Sequence, residues 1–266
     1  MRGLRRRAAE ALALLLPMSE RDYHDRHYET EAAAVQGTAL FERVHDRAAR
    51  QFLRSTQTGR EHRMLSLGCG DGSIERRLAP HVGEIVGLDI SPVAIDQART
   101  RSEAAGLRNL SFAVSDAGSS RIDGFGRFDV VAAFAFLHHL SDAQISGALI
   151  AARQALRAGG AFYSTDPNRR RLVGHFAGCV RATYDRYHSP DERELDPDVL
   201  AALAGQAGFT RPVIGYVDYF LGPLAWLAPA TPRWLVPALG ALDGLALKVP
   251  LMRCYASSFS LLARAY

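Results

Sequence analysis

The sequence predicts an α/β fold, with a mainly parallel sheet and helices on both of its faces. Three observations carry that reading. Short apolar runs alternate with longer stretches of helical period from residue 63 onward. A glycine-rich turn, Gly68-Cys69-Gly70-Asp71-Gly72, follows the first run and precedes a helical stretch. A second run, Glu84-Ile85-Val86-Gly87-Leu88-Asp89, ends in a carboxylate. It stands about 20 residues after the glycines, where such folds grip a ribose.

Residues 1–60 read as a helical segment or lid. Val35, Leu40, Phe41, Val44 and Phe52 fall at helix-like spacings. The extreme N-terminus is basic (Arg2, Arg5, Arg6, Arg7) and continues into an apolar run, Ala11 to Leu16. That resembles the first two regions of a signal peptide, but Glu10 interrupts it, the run is short and no Ala-x-Ala follows. It reads better as an amphipathic helix with Leu4, Ala8, Ala11, Leu12 and Leu15 near one face. Such a helix either packs on the core or rests on a membrane surface.

Residues 61–266 read as one α/β domain. Ser55 to Glu61 is a polar lead into the first strand, Met64–Leu67. A helix follows at Ser73–Ala79, with Ile74 and Leu78 on one face. After the strand ending in Asp89, Ser91-Pro92 supplies an N-cap and a first-turn proline. That helix carries Val93, Ile95 and Ala98 and stops at Gly106. Leu110–Val114 and Phe128–Phe134 read as strands three and four. Ser141-Asp142-Ala143-Gln144 is a capping box, and Gly159-Gly160 is expected to close its helix. Ala161–Thr165 reads as strand five. Asp196-Pro197 opens a helix with Leu200, Leu203 and Ala207 on one side and Gly208 as its stop. Val213–Val217 and Tyr255–Leu262 read as strands six and seven. Two inserts remain. Residues 167–195 are polar, aromatic and charged. Residues 218–253 are apolar and proline-rich, but Asp218, Arg233, Asp243 and Lys248 break the tract below the length of a spanning helix. Short helices covering another part of the fold are expected there.

Bulk composition narrows the function classes. The chain has 266 residues, 48% of them hydrophobic, enough for a packed core. A net charge of +4 is too small to argue for a nucleic-acid partner. Cys69, Cys179 and Cys254 are far apart and form no metal-spaced cluster, so no structural metal or disulfide framework is expected. A reduced, cytoplasmic protein follows from that reading, with peripheral contact to a membrane left open.

Leu65 to Gly72, with Asp89-Ile90-Ser91 behind it, resembles the class I S-adenosylmethionine (SAM) methyltransferases, whose first motif is an apolar strand followed by Gly-x-Gly-x-Gly. Further landmarks arrive in order: Ser115-Asp116-Ala117 after strand three, Leu137-His138-His139-Leu140 after strand four, and Leu156-Arg157-Ala158-Gly159-Gly160 before strand five. Ala158 stands where the family has proline. A dinucleotide dehydrogenase would place its third glycine at Ser73. The resemblance is strong over Arg63 to Thr165 and holds in outline beyond. It implies a Rossmann-like, seven-stranded sheet whose last strand runs antiparallel between strands five and six.

The resemblance also implies the cofactor, SAM, and its contacts. Gly68, Cys69, Gly70, Asp71 and Gly72 form the loop around its amino-acid end. Asp89 takes the ribose hydroxyls and Ile90 packs on the adenine. Asp116 and Ala117 sit at the adenine edge, Phe134 borders the site, and Tyr28 belongs to a segment that closes over it. For a base, His138, His139, Asp166, Tyr184 and His188 are the candidates, although the histidine pair recurs across the family with unrelated substrates. The Asp-Pro-Pro-aromatic motif of DNA amino-methylating enzymes is absent. So are the paired glutamates of protein arginine methyltransferases. A small, hydrophobic organic acceptor methylated on oxygen or carbon remains, of natural-product, quinone or lipid type. The alternatives are an enzyme that uses this fold for isomerisation, cyclisation or decarboxylation, and a non-catalytic membrane-surface module. A homodimer is a further expectation, from the apolar tract.

Overall fold

The computed structural model describes residues 19–30, 35, 37–119, 122, 124–172 and 192–266. The basic N-terminal stretch, Cys179, Tyr184, Tyr187 and His188 lie outside the described residues.

Seven strands form one sheet: β1 (Arg63–Leu67), β2 (Glu84–Asp89), β3 (Leu110–Val114), β4 (Phe128–Phe134), β5 (Leu156–Pro167), β6 (Phe209–Asp218) and β7 (Ser258–Ala265). Their order is β3-β2-β1-β4-β5-β7-β6. β7 is antiparallel to both β5 and β6, and the pairs from β3 to β5 are parallel. The helices among the described residues are α1 (Glu20–Glu29), α2 (Ala39–Thr56), α3 (Ser73–Leu78), α4 (Pro92–Ala104), α5 (Asp142–Ala155), α6 (Pro197–Gln206), α7 (Leu221–Leu227) and α8 (Val236–Ala246).

The local signals act as their chemistry requires. Ser91 caps α4 by accepting from the Ala94 N–H, with Pro92 in the first turn. Ser141 and Gln144 form the reciprocal capping box of α5. Gly106 and Gly208 end their helices with φ of 69° and 87°.

Three boundaries depart from the sequence reading. Gly159 and Gly160 do not close a helix. α5 ends at Ala155, and Leu156 already pairs with Phe128, with a register shift before Val130 meets Ala161. The glycines form that irregularity, where Gly159 has φ 78°. β6 extends four residues earlier than expected, to Phe209, whose ring packs on Phe162. β7 starts at Ser258, because Arg253–Tyr255 form a 3₁₀ turn.

The sheet buries both faces, as parallel sheets must. On one face Leu65, Leu67, Val131 and Phe162 pack with Ile145, Leu149 and Ala152 of α5 and with Leu200 of α6. On the other, Met64, Ile85, Val130 and Tyr163 pack with Ala49 and Phe52 of α2 and Leu78 of α3. α2 is therefore part of the core layer. Its N-terminal half carries a satellite cluster in which Leu40 and Phe41 meet Leu221 and Ala225 of α7 and Val236 of α8. The apolar tract thus docks on α2, at the C-terminal end of the sheet.

Candidate active site

The ends of β1, β2, β4 and β5 open into two joined cavities. The first has a volume of about 340 Å³, the second about 590 Å³. Both fall within the roughly 300–1,000 Å³ that holds a small ligand. Tyr28, His24, Gly68, Ala135 and His139 line both and mark where they meet.

The second cavity is lined by Asp89, Ile90, Ser115, Asp116, Ala117 and Phe136. Asp89 ends β2 buried, and its carboxylate accepts from the Gly70 N–H at 2.8 Å and the Ser91 N–H at 2.9 Å. Burial raises its pKa, against the pull of those backbone donors. One carboxylate therefore sets the glycine loop against the end of β2. Asp116 accepts from the Gly118 N–H at 3.0 Å and so shapes the turn that carries Ala117.

The glycine loop has a different logic at each position. Gly68 (φ 65°) and Gly70 (φ 53°) line the first cavity, and a Cβ on either would collide with Phe136 or with the Tyr28 hydroxyl. Gly72 lines neither cavity. Its φ is 71°, and a Cβ there would stand 2.9 Å from Phe112 and 3.2 Å from Ala98, so packing against β3 and α4 is what demands glycine. The sequence reading grouped Gly72 with the ligand loop; the geometry separates it. Cys69 turns its sulfur toward Gly87, Ile95, Ala98 and Phe112, and burial raises the thiol pKa well above its ordinary value. Asp71 ion-pairs with Arg101 and accepts from the Ser73 N–H, which makes it a brace for the turn.

The first cavity runs from this loop to the apolar tract. Gly222, Pro223, Trp226 and Leu227 wall it on one side. Tyr23, His24, His27 and Tyr28 of α1 close it above. Phe134 borders it, with its ring held edge-to-face by Phe52.

Of the candidate bases, His138, His139 and Asp166 come together at the wall of the first cavity. Asp166 Oδ1 accepts from the His138 backbone N–H at 3.2 Å and lies 3.3 Å from His138 Nδ1. Burial raises the Asp166 pKa, while His138 lowers it. The His139 ring stands 4.1 Å from that of His138 and 4.9 Å from that of His24. For His24, burial pulls the pKa down, but hydrogen bonding to Glu20 and the charges of Asp89, Glu20 and Glu192 outweigh it and raise it.

Three residues at the site escaped the sequence reading. Glu75, in the first turn of α3, is buried and lines the first cavity; its Oε1 accepts from Ser66 at 2.6 Å. Burial lifts its pKa to about 7, with Ser66 opposing. Its Oε2 has no hydrogen-bond partner among the described residues. A polar Ser66 inside an apolar strand was the available signal. Glu192 faces both histidines of the 138–139 pair, and Ala135 bends away from β4 with φ 49° where the two cavities meet.

Comparison with known proteins bears on residues 64–160. Residues 64–160 match the family model described as a methyltransferase domain. These residues are a methyltransferase domain of the class I, SAM-dependent kind. The chain is 26% identical over 173 residues to a ubiquinone biosynthesis O-methyltransferase of Ruegeria sp., covering 62% of this chain and 66% of that protein. It is 36% identical over 110 residues to an aklanonic acid methyltransferase of Streptomyces sp., covering 40% of this chain and 48% of that protein. The chain thus aligns with about two thirds or less of these relatives. In fold it is similar to the magnesium protoporphyrin IX methyltransferase of Synechocystis, solved with bound S-adenosylhomocysteine (TM-score 0.62, 14% identity, 92% of this chain and 98% of that one).

The residues present fit SAM. Asp89 offers carboxylate lone pairs to a diol, and the Cβ-free Gly68 and Gly70 leave the first cavity open beside them. The unpartnered Oε2 of Glu75 suits a cationic amino-acid head group. When bound, SAM supplies an electrophilic methyl group on a sulfonium.

Proposed function

We propose that this chain transfers the methyl group of SAM to an oxygen or carbon atom of a bulky, apolar small molecule. The observation that carries this reading is the pair of joined cavities. One wall carries the Asp89 carboxylate, assigned to the ribose, and the Asp116-Ala117 turn, assigned to the adenine edge. The other carries an apolar cap, Pro223, Trp226 and Leu227. A cofactor at one end and an apolar molecule at the other would meet near Gly68, Ala135 and His139.

The protein's contribution is mostly alignment, which in such reactions supplies about 7–11 kcal/mol of the barrier. Gly68, Gly70, Asp89 and Glu75 fix the donor. The cap and α1 exclude water and hold the acceptor. Where the acceptor is a hydroxyl, its proton must leave, and the cluster of His138, His139 and Asp166 stands at the cavity wall to receive it. The names of two relatives, a ubiquinone biosynthesis O-methyltransferase and an aklanonic acid methyltransferase, support an organic acceptor.

The finer reading includes place. Trp234 (75% exposed), Leu245 (61%) and Leu251 (87%) stand on the outer side of the cap with Leu242, Val249 and Met252. Between residues 219 and 257 the exposed charges are Arg233, Lys248 and Arg253, all cationic, since Asp243 is buried. An apolar surface with a cationic rim suits an anionic lipid surface, from which a lipid-soluble acceptor would reach Trp226. Incubation with methyl-labelled SAM and a lipid extract tests the function. Label moving into an organic-soluble product supports it. SAM that binds but is never consumed would favour the non-methylating alternative.

A further inference from the structure

We propose that His138, His139 and Glu192 form a binding site for a divalent transition-metal ion of the zinc type, open on its remaining face to the acceptor cavity. The proposal deepens the methyl-transfer reading and rests on it for its purpose: the ion would dock an acceptor through a hydroxyl or keto oxygen, a role in which His138 and His139 act as ligands and not as proton acceptors.

The donor atoms converge. His138 Nε2 lies 3.9 Å from Glu192 Oε2, and His139 Nδ1 lies 3.6 Å from Glu192 Oε1. The three ligand atoms all fall within 4.8 Å of one another. Two ligands of one tetrahedral zinc ion, bonded at about 2.0–2.2 Å, stand roughly 3.4 Å apart. The trio therefore closes on an ion with shifts of up to about an ångström. All three side chains are at least 86% buried from solvent, at 8%, 14% and 7% exposure, and all line the first cavity.

The surroundings match those of a metal-ligating histidine. A ligating imidazole donates its other N–H to a carboxylate, which fixes the tautomer and orients the ring. Asp166 stands in that place, 3.3 Å from His138 Nδ1, and its Oδ1 is itself anchored by the His138 backbone N–H. The tautomer that donates Nδ1–H to Asp166 leaves the Nε2 lone pair facing Glu192. Two imidazole nitrogens facing one carboxylate form a donor set that a divalent cation can bridge. A second trio, Glu20, His24 and His139, shares His139, so α1 holds further ligands of the same chemistry beside the first set. The sequence expectation of no metal came from the lack of a cysteine or histidine–cysteine cluster at metal spacing. It could not see Glu192, which reaches the histidine pair only through the fold.

The test uses the untagged full chain, stripped with a chelator and titrated calorimetrically with Zn²⁺ and Mn²⁺. Cobalt(II) absorption reports coordination. Expected is one saturable equivalent with visible cobalt bands, weakened at least tenfold in His139→Ala and Glu192→Gln. Asp166→Asn should keep the stoichiometry and lose about 10–100-fold in affinity. SAM affinity should persist in Glu192→Gln. Absence of saturable binding by the wild-type chain would overturn the proposal. So would equal affinity in folded Glu192→Gln and His139→Ala. None of these readouts needs methyl transfer, so a chain that binds metal but methylates nothing would sink the functional reading alone.

Discussion

Glu75 places a titrating group beside the glycine loop. Its carboxyl is raised from 4.5 to about 7 by burial, with Ser66 and Arg76 opposing and Asp71 adding to the rise. A carboxyl raised on folding is held neutral in the native chain while the unfolded chain ionises. The resulting destabilisation grows from about pH 4.5, reaches its full size near pH 7 and stays constant above. From that shift it is on the order of 3 kcal/mol. Glu75→Gln should therefore unfold at higher denaturant than wild type at pH 8, with the gap closing by pH 4.5. Equal midpoints at pH 8 would refute the assignment. The same group predicts that wild-type SAM affinity rises between pH 6 and 8 and that the variant's does not. Residues legible from sequence were those whose role is local: Gly68 and Gly70 beside their strand, Asp89 at the end of its own. Glu75 and Glu192 act through partners brought by folding, Ser66 in one case and His138 with His139 in the other.

The cap shows how an element is pinned. Asp243, buried in α8, accepts from the Tyr219 N–H at 2.8 Å and the Phe220 N–H at 2.7 Å and ion-pairs with Arg47 of α2. Asp218 holds the first turn of α7 through the Gly222 N–H at 2.8 Å. Asp243→Ala strands two buried donors and a guanidinium. Breaking a buried pair costs about 3–5 kcal/mol. We expect a large fall in thermal stability and a looser acceptor site, checked by calorimetric melting and by tryptophan fluorescence from Trp226. An unchanged melting temperature would show that the cap is not anchored there. In the sequence Asp243 read only as a break in an apolar tract, because its partners lie in α2 and in the turn before α7. Strands β2, β3 and β4 were legible to the residue, since each is a short, largely apolar run. β5 was not, because Leu156 to Gly160 pairs through an irregularity that local pattern does not encode. The two tryptophans also separate: Trp226 lines the cavity with Phe41 against its ring at 4.7 Å, whereas Trp234 faces out.

At the scale of the molecule, the sheet order fixes where chemistry happens. Placing β1 between β2 and β4 brings the glycine loop, Asp89 and the β4 end to one rim, and inserting β7 beside β5 sets the cap across from them. Among the described residues, no helix is long and apolar enough to cross a membrane. The outer face of the cap is the surface proposed to meet one. Flotation with anionic vesicles should carry the wild-type chain upward, less so at high salt. Trp234→Ser with Leu251→Ser should stay at the bottom with SAM affinity intact. Flotation equal for the two chains would remove the membrane from the account.

The account's central claim is that Asp89 and the glycine loop hold SAM. Calorimetric titration of SAM into wild type and Asp89→Asn tests it most directly, with circular dichroism to confirm that the variant is folded. A charge-assisted hydrogen bond contributes about 1.5–3 kcal/mol, so the account predicts roughly 10- to 100-fold weaker binding in Asp89→Asn. A folded variant that binds SAM as tightly as wild type, or a wild-type chain that does not bind it, would contradict the claim.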